Sequence, residues 1–436
     1  MNAADLIRAQ NASKETKPKA QAPATGSVKR PAIGKQGNPH VLIIGGEDHE
    51  LRLPFMTALQ DQGLAVTAAG TGSPEPFAQA GIAYHGFAFQ RFVAPLADWR
   101  ALKTIRALVE TVDPDIVQCF DTKLNILVPI ALESVQRNTN GRPGIVRTIN
   151  GRGWLYASPK LQARLLRPIY RSLHRRAAKS TRAEVFEHDE DMGFFADGEM
   201  IGQGGGMIIP GAGIDVVGFE RKRTDGATRE ALREELGLGK APVVMTVTRL
   251  TREKGIGTLL GAAAEVHETH PDVRFVLVGP RESEGPLAIT AKEIARHAPY
   301  VIAIGPRNDV PSLLSIADVF AFPSQYREGI PRALCEAGLA HVPIVTSDMP
   351  GCRTVISDGW NGRVVPAGNV PRLAAGLREL LDNRARALIM ARRGSAPVRE
   401  TFSLDAIVAG YASLYRAVAN TSFGTAMNIE RREAAL

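Results

Sequence analysis

Cysteine is scarce in this chain: Cys119, Cys335 and Cys352 are the only three in 436 residues, far apart and without C-x-x-C spacing. Neither a disulfide scaffold nor a structural zinc is expected from that pattern. Long apolar runs are missing too. None approaches the roughly 20 residues a bilayer span needs, and the opening MNAADLIRAQNASKETKPKAQ has no apolar core of the signal-peptide kind. The chain therefore reads as cytoplasmic. Charge of one sign is only mildly in excess, +8 from 53 Lys and Arg against 45 Asp and Glu, which permits an anionic partner without demanding one. What is present is apolar: a 44% hydrophobic content over this length supports two or three cored domains and excludes a disordered or fibrous protein.

Residues 1–38 are dominated by Ala, Lys, Gln, Pro and Ser and read as a disordered N-terminal tail. From His40 the texture changes to short apolar strands separated by amphipathic stretches: 41–46, 65–70, 82–87, 115–120, 145–150 and 183–188. A second series follows at 243–250, 273–279, 300–305, 318–324, 342–348 and 362–368. Strands alternating with helices predict parallel sheets covered on both faces, so the α/β chain reads as two Rossmann-like, doubly wound domains in tandem, 39–213 and 214–402. The segment 207–219, MIIPGAGIDVVGF, carries the Pro and Gly of an interdomain connection. A crossover helix is expected over 403–420 and a flexible tail over 421–436. The run Gly202-Gln203-Gly204-Gly205-Gly206 breaks the G-x-G-x-x-G spacing and precedes a strand, so it reads as a flexible loop and speaks against a nicotinamide enzyme.

Ligands of open α/β sheets bind beyond the carboxyl ends of the strands, which makes the interdomain cleft the expected site. The stretch from Phe322 to Gly362 ends a strand, carries Glu328 and Gly329 on a loop, and enters a helix at Pro331 with Glu336 on its flank. A helix N-terminus suits phosphate, while carboxylates beside it suit hydroxyls, a pairing that describes a sugar diphosphate. Arg249 and Lys254 bracket the loop after the first strand of the second series, where two cations can face one anion. Each piece has an ordinary alternative: a surface carboxylate, a first-turn helix residue favoured by the dipole, a solvated basic turn.

Together with Asp348-Met349-Pro350-Gly351-Cys352-Arg353 and Asn361-Gly362, these residues resemble the retaining, nucleotide-sugar-dependent glycosyltransferases of the GT4 family, over about residues 40 to 418. The segments 51–54, 150–154, 210–215 and 305–310 resemble, within it, enzymes that extend polyprenyl-diphosphate-linked saccharides, such as the bacillosaminyl-diphospho-undecaprenol N-acetylgalactosaminyltransferases and exopolysaccharide transferases. The resemblance implies a GT-B fold, two facing Rossmann-like domains with the cleft between them, and hexosyltransferase activity. It implies that Arg249 and Lys254 bind the donor diphosphate and that Glu328 contacts the transferred sugar. Glu336 would hold the ribose diol, Gly329, Ile330 and Pro331 would line the sugar and phosphate site, and Gly305 and Arg307 would lie against the nucleobase. Gly45 and Gly46 would form a glycine loop on the opposite side. Arg52, Asp121, Lys123, Gly151 and Arg152 are the acceptor-side candidates. Many relatives have a histidine where this chain reads Cys119-Phe120-Asp121-Thr122-Lys123, and Asp121 is the residue that could replace it. No cofactor or metal is expected, because the two cations would do a metal's work.

Between Trp154 and Arg182 there is no acidic residue, while Lys160, Arg164, Arg167, Arg171 and Arg175 recur at three- and four-residue steps among leucines. Such a helix suits an anionic membrane surface; the alternative is an ordinary domain helix with an apolar core face. Nucleic acid is not expected as a partner, since no aromatic platform or recognition module accompanies the charge. The whole reads as a peripheral enzyme of the inner face of the cytoplasmic membrane, moving sugar from a UDP-sugar to a polyprenyl-diphosphate-linked acceptor in surface polysaccharide synthesis. The alternatives are a soluble acceptor, or a catalytically silent binding or regulatory protein of the same fold.

Overall fold

The strands expected from the sequence form two separate parallel sheets. The computed structural model describes residues 38–46, 49–89, 95–133, 135, 143–153, 156, 161–211 and 213–420. The tail expected over 1–38, Asn38 apart, the tail over 421–436 and Lys160 lie outside the described residues. In the first lobe, β1 (His40–Ile44), α1 (Leu53–Asp61), β2 (Ala65–Gly70), β3 (Ala83–Gly86), α2 (Pro95–Val112) and β4 (Ile116–Cys119) follow in order. Then come α3 (Leu124–Leu132), β5 (Gly144–Ile149), α4 (Leu161–Ala178), β6 (Ala183–Phe186), α5 (Asp189–Asp197) and β7 (Gly206–Ile208). Their sheet has the order β3-β2-β1-β4-β5-β6-β7.

The second lobe includes, besides short helices, α6 (Val216–Asp225), β8 (Val243–Val247), α7 (Ile256–Thr269), β9 (Arg274–Val278), β10 (Val301–Gly305), β11 (Val319–Phe322) and α8 (Arg332–Leu339). It continues with β12 (Ile344–Ser347), α9 (Pro350–Val355), β13 (Arg363–Val365), α10 (Val370–Asp382) and α11 (Arg384–Pro397), before α12 (Leu404–Asn420) closes the described chain. Its sheet repeats the same winding, β10-β9-β8-β11-β12-β13. Central strands such as β1 are apolar at nearly every position because helices cover both faces, and all five β1 residues are buried. In each sheet the winding direction reverses at the first strand, between β1 and β4 and between β8 and β11. A crevice opens beyond the carboxyl ends at such a reversal.

Three features depart from the sequence reading. Met207 and Ile208, expected in the interdomain connection, belong to β7, the edge strand of the first sheet. Its three half-buried residues are too short a run to register as a strand. The glycine run before it is a packed turn and not a flexible loop, since a Cβ at Gly204 would fall 1.5 Å from the Arg182 carbonyl oxygen. Pro331 stands at the N-cap of α8, one residue ahead of the helix it was expected to begin.

The last helix returns to the first lobe. Ile407, Val408, Tyr411, Leu414, Tyr415 and Val418 of α12 join the core formed by Val41, Ile43, Met56 and Leu59. The Tyr415 hydroxyl donates to Gln118 Oε1 at 2.9 Å, and those of Tyr411 and Thr148 share a hydrogen bond of 2.8 Å. Deeper still, the fully buried Arg147 and Glu184 form an ion pair at 2.5 Å. Arg147 also approaches His174 Nδ1 at 3.3 Å, tying the inner face of α4 to the sheet.

Candidate functional site

The reversal in the second sheet brings the loop after β8 against the loop after β11. Gly255 makes the approach possible: it has φ 70°, and a Cβ there would lie 1.9 Å from the Pro323 carbonyl oxygen. As a result Lys254 Nζ lies 2.6 Å from Glu328 Oε1, and the Ser324 hydroxyl donates to the same oxygen at 2.8 Å. The lysine is buried near the rings of Phe322 and Tyr326, at 6.0 and 5.8 Å. Low water access strengthens that ion pair. Arg249, from the same loop, instead pairs with Glu284 at 2.9 Å on the half-exposed rim.

Pro331 leads into α8, whose first N–H groups have no intrahelical partner, and Gly329 and Ile330 form the approach to it. Burial raises the Glu336 carboxyl above its ordinary value, against the pull of Arg332 and Lys222. Gly305 ends β10 two strands away from β8. Beyond it Arg307 is saturated by Asp309, at 2.8 and 2.7 Å, and by Glu235 at 2.6 Å. Those hydrogen bonds hold its guanidinium above the ordinary arginine value.

On the first lobe, the Gly46 N–H donates to Asp121 Oδ2 at 2.7 Å, joining the two loops at the β1/β4 reversal. Gly45 covers the ring of His49, which burial, with help from the Arg52 charge, lowers to about 4, so it is neutral at physiological pH. The Arg52 guanidinium sits 4.4 Å above the Phe120 ring. Lys123 turns to Asp98 at 2.5 Å and lies over Phe89 at 5.0 Å. Arg152 pairs with Asp191 at 2.7 Å, and a Cβ on neighbouring Gly151 would be 3.8 Å from that carboxylate.

The two lobes meet through side chains that sequence reading missed. The Ile330 N–H donates to Glu187 Oε2 at 2.9 Å, Arg327 reaches Glu190 at 3.0 Å and Asp191 at 3.4 Å, and Arg353 reaches Glu190 at 2.5 Å. Burial raises the Glu187 carboxyl to about 7, the Ile330 N–H opposing. Burial also acts to raise Glu190, but Arg327 and Arg353 outweigh it and leave that carboxyl below its ordinary value. The only signal in the sequence was position, since Glu187 directly follows a strand at the carboxyl edge and Asp189, Glu190 and Asp191 open a helix.

Helix α4 buries Ala163, Tyr170, His174 and Ala177, all small or ring-bearing, and turns its leucines outward. Leu161, Leu165 and Ile169, four residues apart, are 68%, 68% and 57% exposed, and Leu173 continues the line. The alternative of an ordinary domain helix with its leucines in the core is therefore excluded. Arg164 is exposed beside this stripe. Arg167 lies over the Tyr156 ring, Arg171 donates to the Tyr156 hydroxyl and Arg175 to the Gly198 carbonyl oxygen. Among the described residues no helix is long and apolar enough to cross a membrane, and no three His, Cys, Asp or Glu side chains come together as metal ligands.

Residues 228–396 match the family model described as glycosyl transferases group 1. The chain is 27% identical over 301 residues to the GDP-mannose-dependent alpha-(1-6)-phosphatidylinositol monomannoside mannosyltransferase of Mycobacterium tuberculosis, a match covering 66% of this chain and 73% of that protein. It is 26% identical over 297 residues to the UDP-Gal:alpha-D-GlcNAc-diphosphoundecaprenol alpha-1,3-galactosyltransferase of Escherichia coli, covering 67% and 73%. Among solved structures, Anabaena Alr3699/HepE in complex with UDP and glucose superposes with a TM-score of 0.65 at 18% identity, over 86% of this chain and 99% of that one.

Proposed function

We propose that this chain, a glycosyltransferase of the GT-B fold with a group 1 glycosyl transferase domain in its second lobe, transfers sugar from a UDP-sugar to a polyprenyl-diphosphate-linked saccharide, with retention and without a metal. One observation carries the reading: Lys254 and Glu328 meet at 2.6 Å beside the start of α8, at the carboxyl edge of the second sheet. A cation and the N–H groups of a helix start offer fixed positive charge where a nucleoside diphosphate leaves. Glu328 offers an acceptor for sugar hydroxyls, and donor entry exchanges its ion pair with Lys254 for contacts to both halves of the ligand. In this scheme the bond from the anomeric carbon to the diphosphate breaks while the acceptor oxygen bonds to the same face, and the departing phosphate oxygen takes the acceptor proton. Arg249 joins Lys254 by leaving Glu284. Glu336 takes the ribose, and Asp121 with the Gly45–Gly46 loop faces the reaction from the first lobe.

The acceptor assignment draws on the E. coli relative's diphosphoundecaprenol substrate and on the outward leucine stripe of α4, which with Arg164 alongside suits an anionic bilayer surface. The site of action is then the inner face of the cytoplasmic membrane. The test is transfer of radiolabelled sugar from a panel of UDP- and GDP-sugars to polyprenyl-diphosphate saccharides in the presence of a chelator. Product from a UDP-sugar, undiminished by chelator, is expected; product only from GDP-sugars, or only with added metal, overturns the corresponding part. Flotation with anionic liposomes checks the surface: L165S/I169S is expected to lose most of its binding, and unchanged flotation removes α4 from the reading.

A further inference from the structure

Beyond Lys254 and Glu328, the donor loop has a partner from the other lobe. β6 ends at Phe186, and the next residue, Glu187, reaches across to the Ile330 N–H, two residues along the same loop from Glu328. This is a built seat. A Cβ on Gly329 would fall 1.6 Å from Glu187 Oε2, and one on Gly211 would fall 2.7 Å from Oε1. Loops from opposite sides thus leave out a side chain where the carboxyl lies. The flanking contacts of Arg327 and Arg353 with Glu190, and of Arg327 and Arg152 with Asp191, dock the same segment.

We infer that Glu187 is a positioning residue of the donor site, which holds the Glu328–Ile330 loop and competes with the entering nucleotide diphosphate for that place. This deepens the function proposed above and rests on its donor site. An ionised carboxylate beside a diphosphate is a like-charge contact in a water-poor crevice, so the donor enters once Glu187 is protonated or has swung away. The charged and titratable groups facing it are Asp191 on α5, Arg52 before α1 and Tyr411 on α12. With its carboxyl raised to about 7, Glu187 gains charge as pH climbs from 6 to 8.5. Donor affinity therefore falls over that range, in the limit by about tenfold per pH unit above 7.

The experiment is calorimetric titration of the full chain with UDP, and in parallel with GDP, at pH 6.5 and 8.5, for wild type, Glu187→Gln and Gly211→Ala. The second ionisation of UDP is common to all three and cancels in their ratios. Glu187→Gln keeps an oxygen for the Ile330 N–H without charge, and is expected to bind UDP about fivefold or more tightly than wild type at pH 8.5 and equally at pH 6.5. Gly211→Ala, which crowds the carboxyl without altering it, is expected to shift in the same direction. Parallel pH profiles for wild type and Glu187→Gln overturn the role of Glu187 and leave the donor site standing. Failure of wild type to bind either UDP or GDP at any pH overturns both.

Discussion

At the scale of single residues, Lys254 and Glu328 neutralise each other at 2.6 Å, and the proposed reaction would separate them. Lys254→Met is expected to lower kcat by about 10²–10³, the scale for losing one preorganised stabilising group. Glu328→Gln keeps the hydrogen bond from Ser324 but loses the charge, and is expected to lower kcat with little change in donor KM, as for a contact that tightens in the transition state. Steady-state kinetics on variants with wild-type thermal melts check both, and near wild-type turnover in either rejects its assignment. Their meeting was legible because each follows a recognisable strand at the carboxyl edge of the sheet. Glu187 was not: its meaning lies in a backbone N–H 143 positions away, which only the facing of the lobes brings near.

Among the elements, the repeated winding of the two sheets could be read from apolar runs, because strands buried on both faces carry a continuous signal. For α4 the sequence left two readings open, a surface-facing leucine stripe and a core-facing one. Its leucines have the spacing of a core stripe, and only the buried Arg147–His174 contact on the other side decides which face points in. Helix α12 supplies the third side of the first core. Tyr415→Ala, which removes a fully buried ring and its bond to Gln118, is expected to cost about 3–5 kcal/mol of stability. A shift in the denaturant midpoint of the first lobe reads this out, and a loss below about 1 kcal/mol would mean the helix is a passive cover.

For the whole molecule, the ion pairs between the lobes among the described residues converge on Glu190 and Asp191 from the half-exposed Arg327 and Arg353, while Glu187 sits deeper. Exposed pairs contribute about 0–1 kcal/mol each and weaken in salt, so these pairs add little to holding the lobes together. Glu190→Ala, which removes the carboxylate shared by Arg327 and Arg353, is expected to enlarge the radius of gyration in solution scattering at low ionic strength. Raising salt to about 0.5 M is expected to move wild type in the same direction. Superimposable scattering from variant and wild type would show that these pairs do not set the opening.

The return of α12 also fixes an order of events during synthesis. The second sheet is continuous in the chain, whereas the first lobe waits for Ile407 to Val418 to fill its core. Ribosomes translating this message therefore expose an unfinished hydrophobic groove on the early half until the late half has emerged, and any stall or nonsense codon between Phe402 and Leu404 would leave that groove open to chaperones and proteases.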